Sequence, residues 1–345
     1  MTRLFALATW ALFAMLSAAR GQELRQFHDP LHYFKLTHPT DWESLGEDDL
    51  DAPQVAQFLR PGEPHESGLR EHVSVTAIHL DEPTEAQKVF RSTRDALAGR
   101  FEIVEDVETK LSGLPARRVT FKRDEGGWER RATQWIATDG SLVYVVSFIA
   151  SAESVERYSP AAEAIVESIE VTAHLTERDD GRQDVRLSDP PLQLVVPAGW
   201  RLRTTRLAEA PEGAELLLSL WSWDKSSNGG PATALNVARL RNPKDAPPLP
   251  KDASERVTLV ATSTLGYAGV GAEDAKRRVT TFDSGGNSAA AFSIERRGVT
   301  SQVIILQTPV DDEVLQVTLA GEGHADALKA IAASVGYGQD WAARQ

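Results

Sequence analysis

The sequence predicts an α+β protein built from two similar domains, each a mainly antiparallel sheet covered by amphipathic helices. One observation behind this prediction is a short alternating strand that ends at a proline and is followed three residues later by a tryptophan. The pattern occurs at Phe34–Trp42 and again at Leu192–Trp200. A second observation is that the same order of predicted strands and helices follows each copy, which indicates a tandem repeat.

Residues 1–21 have the features of a secretory signal peptide. A positive charge at Arg3 is followed by an apolar run from Leu4 to Leu16 and then by small residues up to Gly21. About 13 apolar residues are too few for a membrane-spanning helix, which needs roughly 20, so a membrane anchor is the less favoured alternative. We therefore expect cleavage after Gly21 or Ala19, a periplasmic or extracellular location and no membrane span in the mature chain.

The composition limits the classes of partner. The chain has no cysteine, so disulfide bonds contribute nothing to its stability. Its formal net charge of −13 argues against nucleic acid and anionic lipid as partners. We therefore expect ordinary hydrophobic cores, and a partner that is a protein or a small ligand.

The first predicted domain covers residues 27–172. Its strands are predicted at Tyr33–His38, Val55–Leu59, His72–Leu80, Ile103–Leu111, Ala116–Lys122, Trp128–Ala137 and Leu142–Ala150. A helix opens at Pro83 after the third strand, because Thr84 and Gln87 have the spacing of a capping box. A second helix is expected to start with Ser159 as N-cap and Pro160 as first residue. The predicted buried stripe of that helix is Ala162, Ile165, Val166 and Ile169.

The second predicted domain covers residues 185–336, between a polar linker at 173–184 and a tail at 337–345. Its strands are predicted at Leu192–Val196, Glu215–Trp223, Thr233–Leu240, Ala275–Phe282, Ser288–Arg296, Thr300–Leu306 and Val314–Leu319. A helix over Ser254–Leu265 is expected to place four apolar residues on one face, namely Val257, Val260, Ala261 and Leu265. The closing helix carries Leu328, Ile331, Ala332 and Val335.

Four short matches between the two halves support a duplication. They pair Pro39/Trp42 with Pro197/Trp200, Arg117–Thr120 with Arg277–Thr280, Gly126-Gly127 with Gly285-Gly286, and Ile165–Ile169 with Ile331–Val335. A proline after a strand removes a ladder donor, and a tryptophan behind it can cover the sheet or a helix. The repeated residues are therefore expected to shape the hydrophobic interior of each domain.

The pattern resembles the PsbP-like superfamily, which includes the extrinsic protein of photosystem II and exported bacterial proteins of the DcrB type. The resemblance lies in the Pro-x-x-Trp strands, in the turn and strand Gly113–Phe121, in the hairpin around Asp139-Gly140 and in the closing helices that end at Ser168-Ile169 and Ser334-Val335. It implies two tandem α/β/α sandwiches with binding or assembly roles and no catalysis of their own. It identifies no partner-contacting residue in this chain.

Acidic and histidine-rich segments are candidate metal sites. The candidates are His28, Asp29 and His32, with His38 too far along its strand; His65-Glu66 with His72; and the acidic run Glu47–Asp49 with Asp51. The histidine spacing does not fit a metalloprotease helix, and the acidic run lacks the glycine of a calcium loop. Solvated loop side chains are the favoured interpretation of all three.

Other candidates have structural explanations as well. The glycines of Gly266–Gly271 are in the wrong order for a dinucleotide loop, and the segment is expected to follow a helix and lead into a strand. Ser284–Ser288 lacks a nucleophile elbow, and the only histidines of the second predicted domain are His174, if the linker is counted, and His324. Trp221 and Trp223 share one face of a strand, which favours packing over an aromatic binding surface.

The sequence therefore assigns no catalytic, cofactor-binding or metal-binding residue. We expect an exported, non-catalytic binding or assembly module whose partner is not identified. The alternatives are a hydrolase with a site between the domains and a protein that binds a metal or small ligand through its N-terminal histidines.

Overall fold

The chain folds into two compact α+β units with mainly antiparallel sheets, which confirms the predicted fold class. The structure, a computed structural model, describes residues 23–80, 84–125, 127–203, 213–222, 233–296, 299–309, 312–320 and 325–337. Unit 1 contains the described residues up to Asp29 together with Phe34–Glu170, and unit 2 contains Pro30–Tyr33 and the residues from Val171 onward. The predicted signal peptide lies outside the described residues.

Unit 1 is built around one large antiparallel sheet. Its strands are β1 (Leu24–Asp29), β2 (Phe34–Pro39), β3 (Glu43–Gly46), β4 (Gln54–Leu59), β5 (His72–His79), β6 (Glu102–Leu111), β7 (Leu114–Glu125), β8 (Trp128–Thr138), β9 (Leu142–Ser151) and β10 (Glu170–Val171). Its helices are α1 (Ala86–Ala98) and α2 (Val155–Glu167). Seven strands form the large sheet in the order β3-β4-β5-β9-β8-β7-β6, and β1, β2 and β10 form a small one.

Unit 2 repeats this arrangement. Its strands are β11 (Ala173–Glu177), β12 (Arg182–Ser188), β13 (Pro191–Pro197), β14 (Trp200–Leu202), β15 (Ala214–Ser222), β16 (Thr233–Arg241), β17 (Thr280–Ser284), β18 (Asn287–Arg296), β19 (Val299–Gln307), β20 (Glu313–Ala320) and β21 (Gly336–Tyr337). Its described helices are α3 (Ala253–Tyr267), α4 (Ala272–Arg278) and α5 (Ala325–Ala333). The large sheet has the order β14-β15-β16-β20-β19-β18-β17, which matches unit 1 strand for strand.

A half-buried serine joins the closing helix to the small sheet in both units. The Ser168 hydroxyl accepts a hydrogen bond from the Thr37 N–H at 2.9 Å. In unit 2 the Ser334 hydroxyl accepts one from the Val195 N–H at 2.8 Å. Each hydroxyl also lies within 2.7 Å of the carbonyl oxygen three residues earlier in its own helix. Two of the four sequence matches therefore occupy equivalent places in the two units. They are the closing-helix segments with these serines and the strands that end at Pro39 and Pro197.

Both repeated tryptophans and Pro39 are part of the interior, as predicted, whereas Pro197 is exposed. Trp42 and Trp200 are only 4% and 6% exposed. The Trp42 N–H donates to the Pro39 carbonyl at 3.0 Å, which closes a tight turn after β2. The Trp200 N–H donates instead to the side-chain oxygen of buried Gln183. The indoles thus have the same packing role in the two units, although their backbone contacts differ.

The helices cover opposite faces of the large sheets. In unit 1, α1 packs Val89 and Phe90 against one face of β7 and β8. Helix α2 packs against β9, β5 and β2, and its predicted stripe of Ala162, Ile165 and Val166 is buried. In unit 2 the predicted face of α3 is buried, with Val257, Ala261 and Leu265 fully inside. Helix α5 buries Leu328, Ile331 and Ala332, while Val335 is half-buried.

Two predicted helix starts are wrong. Helix α1 has Glu85 as its N-cap, with no side-chain cap, so Thr84 and Gln87 do not form a capping box. Helix α2 begins at Val155 after Ser154, which places Pro160 inside the helix. The Ser159 hydroxyl donates to the Val155 carbonyl at 2.7 Å, so this serine lies within the helix and does not cap it.

The predicted linker at 173–184 contains β11 and the start of β12, which pair as a hairpin. The charged residues of this segment obscured a strand pattern in which alternate residues are buried. Ala173, Val185 and Leu187 are the buried residues on one side of the hairpin. The predicted strand Ala275–Phe282 is also wrong in its first half, since residues up to Arg278 belong to α4. That helix carries acids in its first turn and bases in its last, a distribution that favours helix.

Two of the four repeat matches join strands that are not equivalent. The sheet order pairs β7 with β18 and β6 with β17. Arg117–Thr120 lies in β7, whereas Arg277–Thr280 spans the end of α4 and the start of β17. The equivalent of the Gly285-Gly286 turn is the Ser112-Gly113 turn, which occupies the same place in the sheet order. These sequence matches are therefore coincidental.

Candidate functional site

A groove on unit 1 is the strongest candidate binding site among the described residues. It has a cavity volume of about 360 Å³. It lies between the β6–β7 hairpin, β8 and α2. Its lining consists of Thr109, Lys110, Leu111, Ser112, Arg118, Trp135, Glu163, Val166 and Glu167.

The floor of the groove is set by the strand register. Val107, Arg118 and Trp135 are successive cross-strand partners on β6, β7 and β8. Cross-strand partners lie on one face of a sheet, so these side chains lie together on the face covered by α2. Trp135 is 8% exposed, and Leu111 and Val166 are buried beside it. The floor is therefore apolar and aromatic.

The rim of the groove carries both signs of charge. Lys110 comes from the hairpin and Glu163 and Glu167 come from α2, while Arg118 adds a positive charge on the floor. One guanidinium nitrogen of Arg118 lies 3.0 Å from both carboxylate oxygens of Glu105. The Nε atom of the same guanidinium is buried and has no hydrogen-bond partner. The lining therefore combines a few apolar side chains with a larger share of polar and charged ones.

Unit 2 has smaller side chains at the equivalent strand positions. Its Gly285-Gly286 turn has the same left-handed backbone as the Ser112-Gly113 turn of unit 1. Counted along the strand from that turn, Ala291 in β18 occupies the position of Arg118. The cross-strand partner of Ala291 is Ile304, which occupies the position of Trp135.

The turn of unit 2 also packs directly on its closing helix. A Cβ atom placed on Gly285 would lie 2.9 Å from the carbonyl oxygen of Ala333 in α5. Real Cβ atoms do not approach a backbone oxygen so closely, so only glycine fits there. The corresponding residue of unit 1 is Ser112, whose side chain lines the open groove. The same hairpin thus contacts the helix in unit 2 and borders a groove in unit 1.

The candidate metal ligands near the N-terminus do not form a metal site. Among the described residues, no group of three or more His, Asp and Glu side chains is placed to hold a metal ion. Asp29 and His32 are buried, so the solvated-loop interpretation is wrong for both. His38 is also buried, with Nδ1 2.8 Å from the Pro39 carbonyl oxygen. Burial lowers the pKa of His38 below its ordinary value, although the Pro39 carbonyl acts in the opposite direction.

A serine and a histidine of the loop between β4 and β5 lie near a carboxylate of the turn between β9 and α2. The Ser67 hydroxyl lies 3.0 Å from Nδ1 of His65, and a Glu153 oxygen lies 3.7 Å from Nε2. The Ser67 N–H also donates to Nδ1, which is how a serine closes a short turn. The Glu153 side chain is largely exposed. We assign this contact to loop closure and not to nucleophilic catalysis.

A buried carboxylate connects that loop to α2. Glu71 is 1% exposed, forms an ion pair with the Arg60 guanidinium and accepts a hydrogen bond from the Ser154 hydroxyl at 2.5 Å. Burial raises the pKa of Glu71, but the hydrogen bonds from Ser154 and Arg60 and the charge of Arg60 lower it by more. Nearby His72 has a lowered pKa because it is buried. Both carboxylate oxygens of Glu71 have a hydrogen-bond partner, which favours a structural role.

The remaining candidates have structural roles or lie outside the described residues. Glu47–Asp49 forms one 3-10 turn, and Asp51 is exposed beside it. Gly266–Gly271 connects α3 to α4, so it leads into a short helix and not into the predicted strand. Trp221 packs under Arg203, whose guanidinium carbon is 5.0 Å from the ring centroid. Trp223 and His324 lie outside the described residues.

Sequence reasoning missed the groove residues. Arg118 and Trp135 were placed in strands correctly, but no motif marks them as neighbours. The available signal was that two large side chains face each other in adjacent strands at positions where the other repeat has Ala291 and Ile304. This signal can be used only when the strands of the two units are matched correctly. The sequence matches paired strands that are not equivalent.

Comparisons with known proteins leave the family open. No protein-family model matches the chain, and no curated protein matches it. Solved structures that match include PsbP of Synechocystis sp. PCC 6803, with 13% identity over 44% of this chain and 93% of that one and a TM-score of 0.32. LpqN of Mycobacterium tuberculosis, involved in cell envelope biogenesis, matches with 16% identity over 44% and 92% and a TM-score of 0.36.

A protein of Bacteroides thetaiotaomicron VPI-5482 matches with 14% identity over 54% of this chain and a TM-score of 0.32. The match spans 55% of the length of that protein. Identities and scores this low assign neither a family nor a function. None of the described helices is both long and apolar enough to cross a membrane.

Proposed function

We propose that the chain is an exported, non-catalytic binding or assembly module made of two PsbP-like domains, at residues 27–172 and 185–336, that arose by duplication. The groove of unit 1 is its binding site. The partner is a protein or small ligand of the cell envelope that places an apolar group against Trp135 and polar groups at the charged rim.

The observation that carries this proposal is the contrast between the two copies of one hairpin. Packing the hairpin onto the helix is possible in this fold, because unit 2 does so through Gly285. Unit 1 instead keeps an open groove with an arginine and a tryptophan on its floor. A groove with an arginine and a tryptophan that the other copy lacks supports a binding role.

Site-specific photocrosslinking tests the proposal with controls inside the same chain. A photoreactive amino acid replaces Lys110 or Glu163 at the rim of the groove, in the mature protein incubated with its own envelope extract. The matched controls replace Asp283 and Lys329, which occupy the equivalent positions of unit 2. We expect a discrete crosslinked product from both rim positions and none from either control.

Equal crosslinking from rim and control positions, or none from the rim, would contradict the groove as the binding site. Loss of the rim product after Arg118→Ala in the same chain would identify the guanidinium as a contact.

A further inference from the structure

The strand beside the groove is an open sheet edge. β6 is a ten-residue strand at the end of the sheet order, and within the described part of the chain no strand pairs with its outer side. The equivalent strand of unit 2, β17, has only five residues, because α4 takes the preceding segment. The long edge and the open groove are thus found together in unit 1.

The register of the hairpin determines which backbone groups of β6 face outward. Leu111 and Leu114 flank the two-residue turn, so they form the hydrogen-bonded pair that closes it. Hydrogen-bonded and non-hydrogen-bonded pairs alternate along an antiparallel ladder. Lys110 is therefore in a non-hydrogen-bonded pair, and its partner Pro115, which lacks an N–H, fits that position. By the same alternation, the N–H and C=O groups of Glu108 and Lys110 point away from β7.

A strand added at this edge would lie next to the groove. Val107 lies on the same face as Arg118 and Trp135 and is 36% exposed. Side chains alternate along a strand, so every second residue of an added strand would lie beside Val107 and reach the groove. Those side chains would meet the apolar floor.

The charged residues of the edge strand indicate which side chains an added strand would carry. β6 carries four carboxylates and one lysine, at Glu102, Glu105, Asp106, Glu108 and Lys110. Asp106 and Glu105 are paired with arginines of their own unit. Glu108 is exposed and lies beside Arg117 on the face of β6 opposite the groove. An added strand that points its apolar residues into the groove points the alternate residues to this opposite face, where the exposed Glu108 carboxylate favours basic side chains.

From this placement we infer that unit 1 binds an extended segment of a partner protein, in which apolar and basic residues alternate, as an additional strand along β6. Main-chain hydrogen bonds to Glu108 and Lys110 hold the segment, and its apolar side chains enter the groove. This inference rests on the proposed function and specifies the partner class for the same site.

The probe is an acetylated and amidated peptide of alternating lysine and valine, matched in length to β6, in physiological salt. We expect it to bind the mature chain and to slow amide hydrogen exchange at Glu108 and Lys110. A peptide of alternating glutamate and valine is expected not to bind. Exchange is measured on the unaltered chain, so this readout does not depend on the folding of any variant.

A proline substitution isolates the main-chain contact. Glu108→Pro removes one outward N–H without removing a hydrogen bond to β7, whereas Glu108→Ala removes the same carboxylate and keeps the N–H. We expect the proline variant to bind the peptide about tenfold or more weakly than the alanine variant, the loss expected for a missing main-chain hydrogen bond that also disrupts strand alignment.

Equal affinities of the two variants, no binding of the basic peptide, or protection at other amides would each overturn the strand pairing. Failure of the proposed function has a different signature, which is absence of crosslinking from Lys110 and Glu163. Crosslinking at the rim combined with equal binding by Glu108→Pro and Glu108→Ala would keep the groove and remove the added strand.

Discussion

The two units of this chain have the same strand order and differ where one hairpin meets one helix. In unit 2 the turn at Gly285 lies against the Ala333 carbonyl, and in unit 1 the turn at Ser112 borders a groove of about 360 Å³. The sheet order is kept because it is set by strand pairing over many residues. The groove depends on a few side chains, so it can be opened or closed without altering the fold.

The same comparison separates structural residues from candidate binding residues. Ser168 and Ser334 make the same hydrogen bonds in both units, which identifies them as part of the shared framework. Arg118 and Trp135 have no large polar or aromatic equivalent in unit 2. A residue pair that differs between two copies of one framework is a better candidate for function than one that is repeated.

The largest effect on stability is expected from replacing Glu71, the buried carboxylate of unit 1. Glu71→Ala leaves the Arg60 guanidinium without its main partner and should lower the free energy of unfolding of unit 1 by about 3 kcal/mol. The equivalent residue of unit 2 is Thr233, so unit 2 should be unaffected. Chemical denaturation followed by amide exchange in each unit measures this.

Glu43→Ala is the control for Glu71→Ala, because the Glu43–Arg70 pair is exposed and is expected to contribute less than about 1 kcal/mol. Equal effects of the two substitutions would contradict a buried, structural Glu71.

Exchanging the turn residues tests the difference between the units directly. Gly285→Ser adds a Cβ against the Ala333 carbonyl at a position with φ of 60°. We expect it to destabilise unit 2 by about 2 kcal/mol. Ser112→Gly is the reciprocal change, and it should cost unit 1 less than about 1 kcal/mol. Thermal unfolding of both variants provides the comparison, and a neutral Gly285→Ser would mean that the unit 2 turn does not contact its helix.

The repeated serines should behave alike. Ser168→Ala and Ser334→Ala each remove a hydroxyl that binds a β-strand N–H, and each should cost its own unit about 1 kcal/mol. Amide exchange at Thr37 and Val195 reports the loss of each bond. A large effect in one unit and none in the other would break the equivalence of the two closing helices.

The smallest expected effect is a pH dependence confined to unit 1. Burial holds the pKa of His38 below its ordinary value, so the unfolded chain binds a proton more readily than the folded one. The stability of unit 1 should therefore fall as the pH drops below about 6.5, the ordinary histidine value. His38→Val installs the residue type of the equivalent Val196 and should reduce this slope. An unchanged slope in the variant would assign the pH dependence to other groups such as His72.

Much of the fold could be predicted because the local patterns were strong. The apolar spacing of Val257, Ala261 and Leu265 predicted the buried face of α3, and the prolines marked the ends of β2 and β13. Helix starts were less predictable. Proline is common at the first position of a helix, so Pro160 predicted a helix start. The helix instead starts five residues earlier and is stabilised by packing of Ala162 and Ile165 against the sheet.

The groove could not be predicted from the sequence, because it depends on the distance between a hairpin and a helix far apart in the chain. Arg118 and Trp135 become neighbours only through the β7–β8 register. The correct equivalent of the Ser112-Gly113 turn is visible from the strand order, whereas a second glycine pair at Gly126-Gly127 offered a closer sequence match to Gly285-Gly286.

The central claim is that the hairpin–helix junction is open in unit 1 and closed in unit 2, and thiol labelling tests it most directly. The chain has no cysteine, so Val166→Cys and Ala332→Cys each introduce a single thiol at equivalent positions of the two closing helices. Val166 borders the groove, so we expect a small thiol reagent to label the Val166→Cys protein faster than the Ala332→Cys protein, which should react only through opening of unit 2. Equal labelling rates in the two folded proteins would contradict the claim.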